Sequence, residues 1–286
     1  MLLALCVALS LVAAAYAVML VRAALARRAA PRLEAVVLGA VTNFLDTLGI
    51  GSFAPTMAWF KFRRLVDDRL IPSTMIAGHT LPAVVQALIF LVVLGVSVDP
   101  VLLVGCVLAA AAGAVLGVPL AARAGVWVVQ AVVGLALVIA GTLYAATNLE
   151  LMPGGGTATG LSAPLTVVAV AASAVFGALL NFGIGNYAPT LLMLSLMGMD
   201  PRFSFPIMAG GSALAGASAS VRYLTMGEMD VRIAGGMAIG GIPAVLVAAF
   251  IVKSLSLAWL RWLVVVVVAY AAVVMLRAAA RGAKAR

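Results

Sequence analysis

The 286-residue chain is 65% hydrophobic and only 9% charged, with a mean hydropathy of +1.23. A water-soluble domain of this length needs far more polar surface, so that class is excluded. The net charge of +9 sits in short clusters between apolar runs, without interleaved aromatics, which argues against a nucleic-acid partner and for loops anchored at a membrane face.

Residues 1–21 form an apolar stretch followed by Arg22, Arg27, Arg28 and Arg32. With no basic residues ahead of it, this stretch is expected to be an uncleaved first helix with its N-terminus outside, not a signal peptide. Further apolar segments fall at about 34–60, 73–98, 100–121, 126–147, 163–199, 204–226, 231–252 and 257–276. Several approach the ~20 residues that cross a bilayer as a helix. In lipid the backbone must pair within its own segment, so an all-α polytopic fold is expected. Cys6 and Cys106 lie in apolar segments without metal-ligand spacing and are assigned to packing. Residues 147–162, with Met152-Pro153-Gly154-Gly155-Gly156, read as a flexible linker. The expected organisation is an N-terminal helix and basic loop (1–32), a first repeat (33–147), an external linker (148–162) and a second repeat (163–286).

Two segments, 34–60 and 163–199, are long for one crossing and are broken by Gly and Pro in the same pattern. Gly49-Ile50-Gly51-Ser52-Phe53-Ala54-Pro55-Thr56 matches Gly183-Ile184-Gly185-Asn186-Tyr187-Ala188-Pro189-Thr190 at an offset of 134. The same offset sets Pro72 on Pro206, and an offset of 131 sets Asp99 on Asp230. Duplication accounts for this better than chance.

Charge placement orients the halves. If every segment crosses once, 10 Lys/Arg fall inside and 8 outside; if both broken segments enter and return, 15 fall inside and only Arg202, Lys253 and Arg261 outside. The positive-inside rule selects the second arrangement. Each half is then a hairpin plus three crossings, and the odd number of crossings inverts the second half. The hairpins are short for two full spans, so re-entrant or half-spanning helices are expected, with their breaks deep in the protein.

After each Gly-x-Gly turn comes a small polar residue, Ser52 or Asn186, suited to helix N-capping, and then Pro55 or Pro189 in the first turn. The unpaired N–H groups and dipole of such a helix start attract an anion without Lys or Arg. Thr47, Gly49, Gly51, Ser52 and Phe53, with Asn181, Gly183, Gly185, Asn186 and Tyr187, are the candidate substrate-binding residues. The competing explanation is that Gly-x-Gly serves close helix packing. Thr56 and Thr190 either face the site or bond back to their own helices.

Two ionisable groups break the symmetry. Asp46 answers Leu180, and His79, the only histidine, answers Ala213. Intramembrane ionisable groups are costly and often functional. Either one of them couples proton movement to anion movement, or Asp46 caps a helix or pairs with His79. Gln86 and Gln130 are expected to hydrogen-bond between helices.

In the second half the broken segment is followed by Leu196-Met197-Gly198-Met199-Asp200-Pro201, then Pro206, Val221-Arg222-Tyr223, Gly227-Glu228-Met229-Asp230 and a Gly-rich helix. These residues resemble the TauE/SafE family, the sulfite-exporter or toluenesulfonate-uptake permeases, most strongly over residues 175–250. The resemblance implies a multi-pass protein of the bacterial inner membrane, built by duplication, that moves sulfite, sulfonates or related organosulfur anions. The family commonly runs three glycines together where this chain has Gly-Ile-Gly, and places its proline later.

The expectation is therefore a secondary transporter for a small anion, working by alternating access with its C-terminus cytoplasmic. An anion channel using the same helix starts is the alternative. No enzyme is expected, since metal, nucleotide and nucleophile motifs are not found, and neither a metal nor a cofactor is expected. Membrane lipid is the surrounding partner, and a homo-oligomer is left open.

Overall fold

The computed structural model describes residues 2–48, 51–67, 70–93, 97–121, 126–149, 156–254 and 257–284. Among these the fold is all-helical: α1 (Leu2–Ala26), α2 (Leu33–Thr47), α3 (Phe53–Arg63), α4 (Ile71–Val93), α5 (Pro100–Ala121), α6 (Val126–Asn148), α7 (Ala163–Leu179), α8 (Tyr187–Leu196), α9 (Pro201–Met226), α10 (Val231–Ser254) and α11 (Leu257–Lys284). Five segments among the described residues, within or around α1, α4, α5, α7 and α10, are long and apolar enough to cross a membrane. The two expected broken segments are α2–α3 and α7–α8, the second with a 3-10 turn at Leu180–Phe182 before the break.

The starts of α5, α9 and α10 are fixed by acidic caps. Asp99 accepts from the Leu102 N–H at 2.8 Å, Asp200 from the Arg202 N–H at 2.9 Å, and Asp230 from the N–H groups of Arg232 and Ile233 at 2.9 and 3.1 Å. These carboxylates satisfy donors that have no intrahelical partner. Asp99 and Asp230, paired by the 131-residue offset, thus do the same work at the starts of α5 and α10.

The largest helix pairings fall in matching sets. The helix α2 packs on α10 as α7 packs on α5; α4 packs on α10 as α9 packs on α5; α4 meets α9, and α6 meets α11. Small residues permit the close approaches. A Cβ at Gly240 would overlap the Val36 carbonyl, and one at Gly177 the Ala110 carbonyl. Without a hydrophobic driving force in lipid, such backbone proximity supplies the van der Waals contact that holds helices together. The helix α1 lies outside this scheme and is tied to α4 by the Tyr16 hydroxyl, which donates to the Ala77 carbonyl at 2.9 Å.

Each broken segment has its two ends tied together. Glu34, at the start of α2, pairs with Arg63, at the end of α3, at 2.9 Å. Around them gather the turn after α1, where the Ala30 carbonyl accepts from Arg232, and the start of α4, where Thr74 accepts from the Asp230 N–H. At the second broken segment Ala158, just before α7, forms a bridge with Met199, just after α8. The Thr159 carbonyl there accepts from the Asp99 N–H at 3.3 Å. Within the described part of the expected linker, Ala158 and Thr159 make backbone hydrogen bonds to the turns before α5 and α9. Residues 150–155, with Met152 to Gly155, lie outside the described residues.

Candidate functional site

The two breaks touch. Gly185 approaches Phe53, to which a Cβ at 185 would stand 3.6 Å from its Cβ, and Gly183 faces the Met57 methyl. Gly51 has a left-handed backbone (φ 88°) just before the N-cap of α3, whereas its counterpart Gly185 does not; in the second half Gly183 (φ 74°) is left-handed and ends the 3-10 turn. Both conformations suit glycine, which has no Cβ to clash.

A cavity of about 60 Å³ lies between the breaks. It has room for roughly four to six waters or one small polyatomic ion. Asp46, Gly51, Ser52 and Phe53 line it from the first break, and Ile184, Gly185, Asn186, Tyr187, Ala188 and Pro189 from the second. His79 and Thr80 of α4, Ser212 of α9 and Tyr270 of α11 complete its polar lining. Among the described lining residues there is no Lys or Arg. The donors available to a negative charge are side-chain hydroxyls, amides and the first N–H groups of α3 and α8.

Of the expected binding residues, Gly51, Ser52, Phe53, Gly185, Asn186 and Tyr187 therefore line one cavity, together with both candidate coupling residues. Thr47 does not: its hydroxyl donates to the Asn43 carbonyl in its own helix at 2.8 Å. Asn181 does not either. Its amide donates to the Ala114 carbonyl at 2.9 Å, and its Oδ1 accepts from the Tyr223 hydroxyl at 2.9 Å, which locks the end of α7 against α5 and α9. Gly183 stands behind the break, and Gly49 lies outside the described residues. Asn181→Leu orphans two buried partners, so a loss of about 2–3 kcal/mol is expected, with substrate affinity of the folded fraction unchanged. Thermal unfolding in detergent and a binding titration check this.

The expected side-chain N-caps do not form. Ser52 (φ −92°, ψ −27°) and Asn186 (φ −80°, ψ −7°) already have near-helical backbones, which turn the side chain away from the first N–H groups. Asn186 instead accepts from the Ser212 hydroxyl. At the first break the cap comes from elsewhere: Asp46 Oδ1 accepts from the Ser52 N–H at 2.7 Å. Asp46 thus caps a helix, as one of the two readings of this residue held. The Tyr187 hydroxyl faces the same carboxylate and accepts from Gln86 Nε2 at 2.7 Å. Gln86 is the interhelical hydrogen-bonding residue that its type suggested.

His79 is held on both ring nitrogens. Nδ1 lies 3.0 Å from Asn43 Oδ1, and Nε2 lies 3.0 Å from Thr56 Oγ1. The Asn43 amide donates to the Gly39 carbonyl at 2.7 Å, which turns its Oδ1 toward the histidine. Nδ1 therefore carries a proton, while Nε2 pairs with the Thr56 hydroxyl, which can donate to it or accept from it. The ring also stacks on Phe53 at 5.7 Å. Thr56 thus bonds across to α4 and not back to its own helix.

Sequence reasoning missed Thr80, Ser212 and Tyr270. Each lies on a helix that reaches the cavity only through tertiary packing, and none belongs to the repeated motif.

Residues 165–286 match the family model described as sulfite exporter TauE/SafE, the family that the second half resembles. The matched span begins two residues into α7 and includes every helix of the second half. No curated protein and no solved structure matches the chain.

Proposed function

Taking the match of residues 165–286 to the sulfite-exporter family as the premise, we propose that this chain is a secondary transporter carrying one small sulfur-containing anion, a sulfite or an organosulfonate, by alternating access. The observation that carries this reading is the single cavity shared by both helix breaks, where N–H groups and hydroxyls converge without a described Lys or Arg. Two helix starts aimed at one small cavity suit a delocalised oxyanion, which accepts several weak donors at once.

In this proposal the halves are inverted repeats with re-entrant hairpins. Support comes from the Glu34–Arg63 pair closing the first hairpin at one end of the bundle and the Ala158–Met199 bridge closing the second at the other. The basic residues agree: Arg27, Arg28, Arg32, Arg63, Arg222 and Arg232 belong to the first end, which is then cytoplasmic, and Arg202 to the second. Alternating access exchanges the two halves' arrangements around the cavity, and the exchangeable packing of α2 on α10 and α7 on α5 makes the two states similar in energy.

The test is tracer uptake into proteoliposomes with sulfite, thiosulfate, methanesulfonate, sulfate and acetate under an imposed pH gradient. Saturable uptake of a sulfur anion with counterflow, weakened at least tenfold by Asn186→Ala, is the expected result. Flux without saturation or counterflow would identify a channel and reject the carrier.

A further inference from the structure

The two helix starts differ in one respect that the repeat does not predict. At α3 the first donor is already occupied by a charge from inside the protein, since Asp46 Oδ1 accepts from the Ser52 N–H at 2.7 Å. At α8 the position equivalent to Asp46 is Leu180, a buried apolar residue that lines the same cavity. Asp46 and Ser52 also line that cavity, so the carboxylate occupies the place an incoming anion would take at α3. Resting on the carrier reading above, we infer that Asp46 is an internal surrogate for the substrate: the transported anion binds first at the open start of α8 and gains the Ser52 N–H only when Asp46 has taken up a proton.

Two physical effects require this order. One N–H cannot serve two anions, and two negative charges in one small cavity repel strongly where few waters screen them. Protonation removes both obstacles at once, because a neutral carboxyl is a weaker acceptor and carries no charge. Other titratable groups stand on the neighbouring elements. His79 of α4 is held on both ring nitrogens by Asn43 and Thr56. Tyr187 of α8 is hydrogen-bonded to Gln86 and faces Asp46, and Tyr270 of α11 lines the cavity. Arg63 of α3 is paired with Glu34, and Arg232 of α10 donates to the Ala30 carbonyl, both at the bundle's end. Of these groups only Asp46 occupies a donor that the anion would use, so Asp46 is the coupling group, while His79 holds Thr56 and Phe53 at the start of α3.

The linkage has a definite sign. Anion binding favours protonated Asp46, so affinity is greatest at low pH and falls by about tenfold per pH unit once pH exceeds the Asp46 ionisation point. The experiment is calorimetric titration of the full-length protein in nanodiscs with methanesulfonate, which stays a monoanion throughout, in two buffers of different ionisation enthalpy. Above that ionisation point, the wild type is expected to take up about one proton per anion bound. Asp46→Asn is expected to take up none and to bind at least tenfold more tightly than wild type at about pH 8. Anion binding by the wild type without proton uptake, or proton uptake that survives in Asp46→Asn, overturns the inference while leaving the carrier. Absence of binding by wild type and variant at every pH removes the carrier reading itself, and the inference with it. If Asp46→Asn does not fold, infrared spectroscopy of the wild type decides: a protonated-carboxyl band must grow on adding methanesulfonate, and a constant band rejects the proposal.

Discussion

Gly240→Leu is expected to prevent assembly of the folded bundle, with a stability loss upwards of about 3 kcal/mol. A Cβ at this position would overlap the Val36 carbonyl and crowd the Ala40 N–H, so the obstruction is backbone and cannot rotate away. Relief requires separating α10 from α2, one of the most extensive helix pairings in the molecule, and with it the support under Asp46. The neighbouring Gly235 provides the control, since a Cβ there meets no atom within 4 Å. Gly235→Ala is expected to be neutral or to stabilise by up to about 1 kcal/mol through helix propensity. Thermal unfolding followed by size-exclusion chromatography in detergent separates the two. Equal effects at 235 and 240 would show that glycine at 240 serves something other than close packing.

Tyr187→Phe is expected to lower transport at neutral pH by at least tenfold and to cost about 1–2 kcal/mol of stability. The hydroxyl accepts from Gln86 Nε2 and faces Asp46, so it is the polar link between the second broken segment and the Asp46 carboxylate of the first. Its removal leaves Gln86 with both ends of its amide unpaired, because Gln86 Oε1 already has no partner among the described residues. The paired substitution Gln86→Leu with Tyr187→Phe replaces both polar groups by apolar ones and is expected to recover most of the stability but none of the transport. Counterflow assays beside unfolding curves read the two effects separately. Recovery of transport together with stability would make Tyr187 a structural residue and detach it from the site.

These experiments distinguish between two uses of the same residue types. Small residues on α2, α5, α7 and α10 let backbones touch, whereas the small and polar residues at the breaks surround a cavity. The Gly-x-Gly motif divides accordingly. Gly51 and Gly185 line the cavity, while Gly183 provides the left-handed turn behind it and faces Met57. Both explanations of a glycine in a membrane segment, packing and site formation, are therefore realised within one eight-residue motif.

Composition and periodicity by themselves determined that the chain is a helical membrane protein, because no other arrangement of so apolar a backbone satisfies its N–H and C=O groups in lipid. The eight-residue repeat located the two breaks, since Gly and Pro act locally on the chain's own dihedral angles. The residue types in the second half were sufficient to suggest the family. Which side chains reach the cavity was decided by tertiary structure alone. Thr47 and Asn181 share the repeat offset and yet bond away from the site, to Asn43 and to Ala114 and Tyr223, because a helix surface has more faces than one cavity can use. Thr80, Ser212 and Tyr270 join it from distant helices with no local pattern to announce them. Asp46 was visible as a break in symmetry, but its bond to the Ser52 N–H depends on how the chain folds back across Gly51. Hydrogen-bond partners are chosen by three-dimensional proximity, and sequence spacing specifies that only within a turn or two of helix.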